Sequence, residues 1–406
     1  MGTPNRLLIG LLGAFGCGPG RAPTAEPPAA SPVLGELDTL GGSRATGRRP
    51  DAVVDIDMAH HAMCVRFGDG RVGCGGSNSG LLIDSRDRAL DSLVLSDRFL
   101  ETDRDIALGS DRACALDTDG RVRCWGSALW GGRGDGCTLD RDANERCDEG
   151  PPPERSAVVS ISGLPEVQML SEGGDSVCVL TTTGEVWCWG ANIEGDLGVP
   201  DVESAARPQR VEVPTAAELQ SGAHHSCIVA ERSRDVWCWG YHRIDPEPNP
   251  YERALMPRKV GVLSEGGRLD VVAWGVCLLD ADHQARCWGR LEGREFSEPP
   301  YSFSAVADIE GGTSYTCMLS THGSVACLDG GEWSTLDIPL DGSVARLYGS
   351  LTSVCALSEA GDVACWGEGT DGLGFSEEVL ESPTRVRFDA LRQGDAQPSV
   401  PVSRGL

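Results

Sequence analysis

Positive charge is scarce in this sequence. Lys and Arg together number 35 against 61 Asp and Glu, which leaves a net charge of −26 over 406 residues. A protein that holds a nucleic acid needs clustered cations to neutralise phosphates, and a chain this acidic repels that backbone. We therefore expect no nucleic-acid partner. The acids are scattered, so we interpret them as a soluble surface, and a face for basic partners is the weaker alternative.

Long apolar runs are also missing. The apolar stretch at residues 7–15 is nine residues long, whereas about 20 are needed to cross a bilayer. With Arg6 before it, this stretch is typical of an export signal. Gly16 then precedes Cys17, as at bacterial sites where such a cysteine is lipidated after cleavage. Ala14 stands where those sites favour Leu, so an ordinary signal peptide with an incidental cysteine is the alternative.

Composition divides the rest of the chain. Residues 18–50 are rich in Pro, Ala and Gly, cannot bury a core, and are predicted to form a disordered tether. We predict a signal peptide with a candidate lipobox at residues 1–17, and a repeat domain at residues 51–390. That domain carries an insertion at residues 127–155, and a flexible tail follows at residues 391–406.

Seven segments of the domain repeat one pattern of two cysteines around a short turn. In the second repeat Cys114 is followed by Asp117, then a three-residue loop ending in Gly120, then Cys124. A three-residue loop that ends in a left-handed glycine is a common hairpin connection. His283 takes the glycine position in the fifth repeat, and histidine tolerates that conformation better than most residues. No stretch of helical periodicity accompanies the hairpins, which predicts an all-β domain.

The cysteines of each hairpin are ten residues apart, or eleven in the fourth repeat, where the loop is longer. This spacing places them on opposed, non-hydrogen-bonded strand positions, where side chains approach closely enough for a disulfide; zinc sites use other spacings. The predicted pairs, the insertion's included, are Cys64–Cys74, Cys114–Cys124, Cys137–Cys147, Cys178–Cys188, Cys227–Cys238, Cys277–Cys287, Cys317–Cys327 and Cys355–Cys365. The cysteine left over is Cys17, which favours its lipidation. So many disulfides require an oxidising compartment.

A repeat of about 50 residues holds four short strands, which is one blade of a β-propeller. The motifs Cys-Ala-Leu, Asp-Gly-Val and Cys-Trp-Gly resemble the regulator-of-chromosome-condensation repeat in its cysteine-paired bacterial form, and the best match is residues 178–198. The resemblance covers residues from about 51 to 390 and implies a propeller of seven four-stranded blades. Gly75 and Leu328 replace the Trp of the motif, so we expect those two blades to pack less tightly.

The two ends of the domain are predicted to close the ring. Each blade is expected to hold a strand with a proline, some twenty residues before its first cysteine, as Pro208 precedes Cys227. The first repeat lacks this strand, and a spare copy follows the seventh repeat. We therefore predict that residues 383–388 pair into the first blade, because an open ring leaves a strand edge uncovered.

Candidate site residues are few. Tryptophans recur at one blade position, and we interpret them as packing between blades rather than as ligand contacts; they are Trp125, Trp189, Trp239, Trp288 and Trp366. Other candidates stand just before strand cysteines or beside one: His60, His61, His224, His225 and Ser226. No Ser/His/Asp order or metal-binding histidine spacing accompanies them, so we interpret them as structural.

The insertion is rich in acids. Asp140, Asp142 and Asn144 follow the spacing that begins a calcium-binding EF-hand loop. Glu145 replaces the glycine that such a loop needs, and Pro151 stands where its last Glu belongs. We therefore favour an acidic surface loop without metal.

These observations predict no catalytic residue, no cofactor and no metal. The leading hypothesis is an exported, monomeric cell-envelope propeller that binds or scaffolds an unknown protein through loops on one face. It would be a membrane-anchored lipoprotein, or periplasmic or secreted if Cys17 is not lipidated. One alternative is an inhibitor of an extracellular enzyme, since a propeller of this family caps β-lactamases. The second is a polysaccharide-binding or lyase-type enzyme, which convergent carboxylates near the axis would support. The nuclear member's nucleotide-exchange activity is not expected, because no wedge insertion or basic tail is present.

Overall fold

The structure is a computed structural model. It describes residues 51–59, 62–77, 82, 89–139, 145–154, 157–241, 254–291, 294–295, 301–313, 315–329, 332–368, 379–386 and 388. The signal peptide, Cys17, the linker and the tail lie outside these residues and stay predictions. Among the described residues, no helix has the length and apolar character needed to cross a membrane.

Every regular element described is a β-strand. Blades 1 and 2 contain β1 (Val53–Ala59), β2 (Ala62–Phe67), β3 (Val72–Ser77), β4 (Ala89–Leu95), β5 (Asp103–Leu108), β6 (Arg112–Asp117), β7 (Val122–Gly126) and β10 (Val159–Ser160). The insertion adds β8 (Cys137–Leu139) and β9 (Glu145–Cys147). Blades 3 and 4 contain β11 (Val167–Gly173), β12 (Ser176–Thr181), β13 (Val186–Ala191), β14 (Ser204–Val211), β15 (Ala216–Ser221), β16 (His225–Ala230), β17 (Asp235–Gly240) and β18 (Ala254–Val262).

The last three blades follow the same order. Blade 5 contains β19 (Arg268–Val272), β20 (Gly275–Leu279), β21 (Ala285–Leu291), β22 (Arg294–Glu295) and β23 (Tyr301–Phe303), the last two both pairing with β21. Blades 6 and 7 contain β24 (Val306–Gly311), β25 (Thr316–Ser320), β26 (Val325–Asp329), β27 (Glu332–Leu336), β28 (Val344–Gly349), β29 (Ser353–Ser358), β30 (Val363–Glu368) and β31 (Val379–Arg385).

The seven sheets form a closed ring. Within each blade the strands pair antiparallel, from a first strand at the axis to a fourth at the rim. The first strands contact one another in the order β1, β5, β11, β15, β19, β24 and β28, and β28 returns to β1. The predicted all-β, seven-bladed propeller of four-stranded antiparallel blades is confirmed.

The hairpin turns have the predicted conformation. Gly120 and Gly184 adopt φ angles of 76° and 79°, in the left-handed region where a side chain is disfavoured. His283 holds the same place with a φ of 62°. In the longer loop of the fourth repeat the left-handed residue is Arg234, with a φ of 56°.

These turns place the cysteines opposite each other. Cys178 faces Cys188 directly across β12 and β13, and their Cα atoms lie 4.1 Å apart. The other predicted pairs have the same arrangement, with S–S distances from 1.99 Å (Cys137–Cys147) to 2.12 Å (Cys178–Cys188). The structure therefore brings together all eight cysteine pairs that the sequence spacing predicts.

The repeated tryptophan lies between blades. Trp239 of blade 4 is fully buried and packs on the Cys178–Cys188 disulfide of blade 3. Its indole N–H donates to the carbonyl of Asp196, 2.9 Å away in the loop that follows β13. Trp189 packs in the same way on blade 2. These two tryptophans therefore pack between blades, as the sequence predicted.

The predicted pairing of residues 383–388 into the first blade is wrong. β31 pairs with β30 of blade 7, with Thr384 opposite Cys365. The prediction assigned the strand that carries the proline to the wrong blade. This strand is the fourth strand of the blade whose cysteines come before it in the sequence, and not the first strand of the blade that follows. Pro208, for example, lies in β14, which pairs with β13 of blade 3. The first repeat therefore needs no such strand before it, and the seventh needs one after it.

The ring closes through side-chain packing and a few hydrogen bonds instead. Val53 N donates to the Gly361 carbonyl, 3.2 Å away, as the first residues of other first strands do to the turn before them. Phe388 meets Phe67 edge to face, with ring centroids 5.7 Å apart. Together they occupy the interface of blades 7 and 1, where Gly75 leaves blade 1 without the tryptophan of the motif.

Candidate functional site

Polar side chains on the first strands bond the backbone of the next blade. Asp57 Oδ2 accepts from the backbone N of Leu108, at 2.6 Å, and Asp105 Oδ2 accepts from Leu170 N at 3.2 Å. Asp308 does the same between blades 6 and 7. These axial carboxylates link neighbouring blades, so they have a structural role that the sequence alone did not reveal.

Burial raises the pKa of several axial acids. It raises the pKa of Asp105 to about 7, and the nearby charge of Asp55 adds to this effect. Burial also raises the pKa of Glu172 to about 8, although Arg112 opposes the shift across a 2.7 Å ion pair. Near the axis of blade 5, burial raises the pKa of Asp270 to about 6. These acids therefore hold their protons more tightly inside the folded ring than they would in water.

The two ends of the propeller differ in their loops. One end, which we call the turn face, carries the short turns between second and third strands. The other, which we call the loop face, carries the connections between first and second strands and between third and fourth strands. Near the axis the loop face is joined by backbone bonds from Ala223 N to Ala273 O (3.1 Å) and from Ala273 N to Gly311 O (2.8 Å).

Four side chains meet on the loop face of blades 3 to 5. We call Asp196, His224, Tyr241 and Trp274 the His224 cluster. His224 Nδ1 lies 3.3 Å from Asp196 Oδ1, and the His224 ring centroid lies 5.4 Å from that of Trp274. Tyr241 meets Trp274 edge to face at 5.9 Å, and its backbone N donates to the His224 carbonyl at 2.8 Å. His224, Tyr241 and Trp274 are each partly exposed.

The cluster is electrostatically unusual. The hydrogen-bonding contact with Asp196 raises the pKa of His224 above its ordinary value, against an opposing effect of burial, and Asp175 and Glu194 add to the rise. Trp274 Nε1 is buried and has no acceptor among the described residues. An indole N–H in that position usually bonds a partner. The cluster therefore combines negative charge, a titratable ring and a partly exposed indole whose N–H is buried without an acceptor in the described structure.

The remaining candidates have structural positions. His225 is buried, and its Nε2 contacts the Gly275 carbonyl of blade 5 at 3.1 Å. Ser226 is buried with its Oγ 2.9 Å from Ser221 Oγ. His60 and His61 lie outside the described residues. Among the histidines that the sequence singled out, His224 is the one that the described structure places at an exposed cluster.

An arginine of the insertion pairs with two of its acids. Arg133 is fully buried, and its guanidinium bonds Asp135 at 2.7 Å and Glu145 at 2.6 Å. Among described residues, the one group with metal-like spacing is Cys137, Glu145 and Cys147. Its two sulfurs are joined in a disulfide and cannot bind a cation as thiolates. Asp140, Asp142 and Asn144 of the calcium hypothesis lie outside the described residues.

Sequence reasoning missed Trp274 and Asp175, although a signal was present. Both residues stand three positions before the first cysteine of their repeat, as His224 does. The structure places this position at the tip of the loop between first and second strands. Aligning the repeats on their cysteines would therefore have identified one ring of loop residues whose chemistry changes from blade to blade.

Family profiles recognise the repeat. The Regulator of chromosome condensation (RCC1) repeat is matched at residues 104–128 and again at residues 183–229. The chain is 26% identical over 265 residues to the E3 ubiquitin-protein ligase HERC2 of Homo sapiens, covering 55% of this chain and 5% of HERC2. It is 33% identical over 179 residues to RCC1 domain-containing protein 1 of Homo sapiens, covering 34% of this chain and 44% of that protein. The chain thus spans less than half the length of both relatives.

A solved structure agrees in fold. Yeast RCC1 (Prp20), in its complex with Kap60, superposes with a TM-score of 0.62 at 17% identity, over 91% of this chain and 90% of that one. An identity this low supports a shared fold and no shared function. Together, the matched repeats and the ring of seven four-stranded blades make this chain a β-propeller built of regulator of chromosome condensation (RCC1) repeats.

Proposed function

We propose that the chain is an exported, cell-envelope binding module that engages a protein partner through its loop face. The eight cysteine pairs support an oxidising compartment outside the cytoplasm. Solved relatives of the same fold are described in complexes or binding studies with proteins, as yeast RCC1 is with Kap60.

One observation carries the choice of face. The His224 cluster presents two aromatic rings and an imidazole that are partly exposed and share one surface. Partly exposed aromatic side chains are enriched where proteins bind proteins, because they bury a large apolar area and still offer a hydrogen bond. Such a group on the loop face favours that end of the propeller for recognition.

The axial carboxylates favour binding over catalysis. A lyase or glycosidase needs paired carboxyl groups that can reach a substrate. Asp57, Asp105 and Asp308 each accept a hydrogen bond from the backbone of the next blade instead. This use as links between blades accounts for them without a reaction.

Capture from an envelope extract tests the proposal. The full-length chain is compared with a loop-face variant, His224→Ala with Trp274→Ala, and with a turn-face control, Glu231→Ala with Arg232→Ala. We expect the parent and the control to capture the same proteins, identified by mass spectrometry, and the loop-face variant to lose them. Equal capture by both variants would contradict the choice of face. A captured enzyme whose activity falls when the chain is added would identify the inhibitor alternative.

Anchoring has its own test. We propose lipidation at Cys17, since Gly16 and an apolar stretch precede it and every other cysteine has a partner. Cys17→Ala should move the protein from the membrane fraction to the soluble fraction, and the mature N-terminus of the parent should be a modified cysteine. A parent with an unmodified Cys17 would contradict the anchor and leave the binding proposal standing.

A further inference from the structure

Adjacent loops on the loop face bring an acid, an imidazole and an indole into one row. Asp175, His224 and Trp274 hold the same repeat position in blades 3, 4 and 5. The His224 and Trp274 rings lie 5.4 Å apart, and the charge of Asp175 helps to raise the pKa of His224. Three neighbouring blades therefore contribute to one recognition surface.

Negative charge dominates this row. The Asp196 side chain is 4% exposed, and its Oδ1 lies 3.3 Å from His224 Nδ1. Asp175 is partly exposed and has no ion pair among the described residues. Arg112 reaches the same loop at the Gly174 carbonyl, 3.3 Å away, but its charge is paired with Glu172. A cation is the ligand that this field favours.

Trp274 offers a contact that a basic residue of a peptide could use. Its partly exposed indole ring can hold a cation over its face. Its Nε1 is buried and has no acceptor in the described structure, so the ring and not the N–H is the part open to a partner. A planar guanidinium stacks on an indole better than a compact ammonium does, which favours arginine over lysine.

We infer that the loop face of blades 3 to 5 receives an arginine side chain of the partner protein. The guanidinium lies over the Trp274 ring, next to His224, and Asp175 and Asp196 supply the negative charge that attracts it. This inference rests on the proposed protein-binding function and specifies the chemistry of the partner. A phosphate or nucleic acid would be repelled by the same charges.

His224 gives the site a dependence on pH. The charged groups that face it are Asp196, Asp175 and Glu194, with the paired Arg112 behind the blade 3 loop. Protonated His224 supplies a positive charge to these acids and repels an incoming guanidinium. Affinity for arginine should therefore fall as pH is lowered through the pKa of His224.

The probe is N-acetyl-arginine N-methylamide, with the citrulline analogue as a neutral control of the same shape. Binding to the full chain is followed by NMR at the Trp274 indole N–H, which is assigned by its loss in Trp274→Phe. We expect a saturable shift with arginine and at least about tenfold weaker binding of citrulline. Asp175→Asn should weaken arginine binding several-fold, and Glu231→Gln on the turn face should leave it unchanged.

Three results would overturn the inference: equal binding of the two probes, no effect of Asp175→Asn, or tighter arginine binding as pH falls. These outcomes are separable from failure of the proposed function. If the loop-face variant loses the captured partner but arginine binds no better than citrulline, this inference fails and the protein-binding proposal stands. If arginine binds as expected but no partner depends on the loop face, the proposed function fails instead.

Discussion

Two interfaces of the ring are built from the same backbone contact but filled by different side chains. Between blades 3 and 4, Ala216 N donates to the Gly184 carbonyl at 2.9 Å, and Trp239 fills the space. Between blades 7 and 1, the corresponding bond from Val53 N to the Gly361 carbonyl is 3.2 Å long. No tryptophan fills this second interface, which instead holds two phenylalanines and Met63.

The difference reflects how far apart in sequence the contributing residues lie. Trp239 packs on the blade that precedes it directly in the chain. Phe67 and Phe388 come from opposite ends of the domain, so their contact must close a loop of nearly the whole domain, which carries an entropy cost that grows slowly with length. The blade 3–4 interface can therefore form locally, and the closing interface depends on the assembled ring.

The largest effect is expected at the local interface. Trp239→Ala removes a fully buried side chain and its hydrogen bond to Asp196, which should lower the free energy of unfolding by about 3–5 kcal/mol. Denaturant unfolding followed by circular dichroism measures this. The matched control is Trp333→Ala, since Trp333 is 39% exposed on β27, and it should cost less than about 1 kcal/mol. Equal costs would contradict the assigned role of Trp239.

The closing interface should be somewhat weaker. Phe388→Ala opens a cavity beside Phe67 near the end of the chain, where the structure can partly collapse, so we expect a loss of about 2–3 kcal/mol. A double-mutant cycle with Phe67→Ala should give a coupling of about 0.5–1.5 kcal/mol for the edge-to-face pair. If the losses of stability in the two single variants simply add up in the double variant, the two rings do not stabilise each other at the closing interface.

A pair of glycines isolates the closing contact from backbone strain. Gly361 and Gly323 occupy the same turn position with φ angles of 84° and 82°. A Cβ on Gly361 would lie 2.6 Å from the Ala52 Cβ, whereas a Cβ on Gly323 meets nothing within 4 Å. Both substitutions to Ala carry a left-handed penalty of about 1–2 kcal/mol, and Gly361→Ala should add about 1–3 kcal/mol from crowding. Similar unfolding midpoints for the two variants would show that blade 1 tolerates displacement at closure.

The hairpins and their disulfides could be predicted because their signals are local. Cys114 and Cys124 fix the length of a hairpin, and Gly120 fixes its turn, without knowledge of the rest of the ring. The phase of the fourth strand could not be read in this way. A period shows how often a unit repeats and not where it begins, so Pro208 fits either the blade before it or the blade after it until pairing with β13 is known.

The site was harder to predict because its parts are distant in sequence. Asp175, His224 and Trp274 become neighbours only when three blades stand side by side. The axial acids were hidden for a related reason, since the backbone N–H groups that they accept from belong to the next blade, as Leu170 does for Asp105. A single sequence supplies the chemistry of such residues and not their partners.

The smallest effect, counted per unit of pH, is expected at the interface of blades 2 and 3, which contains Trp189 as that of blades 3 and 4 contains Trp239. Asp105 links blades 2 and 3, and burial, then the charge of Asp55, raise its pKa from 3.8 to about 7. A raised acid pKa means that the folded state holds the proton more tightly than the unfolded state does. The stabilising contribution is therefore complete below pH 3.8 and is lost as pH rises through about 7.

Asp105→Asn keeps an oxygen acceptor for Leu170 N but cannot ionise, so it should lose less stability than the parent between pH 5 and pH 8. The difference should not exceed about 1.4 kcal/mol per pH unit, the limit for one proton. Urea unfolding at unit steps of pH measures it, with Asp119→Asn, 65% exposed on a turn, as the control that should follow the parent. Parallel curves for the parent and Asp105→Asn would show that Asp105 is already ionised in the folded ring.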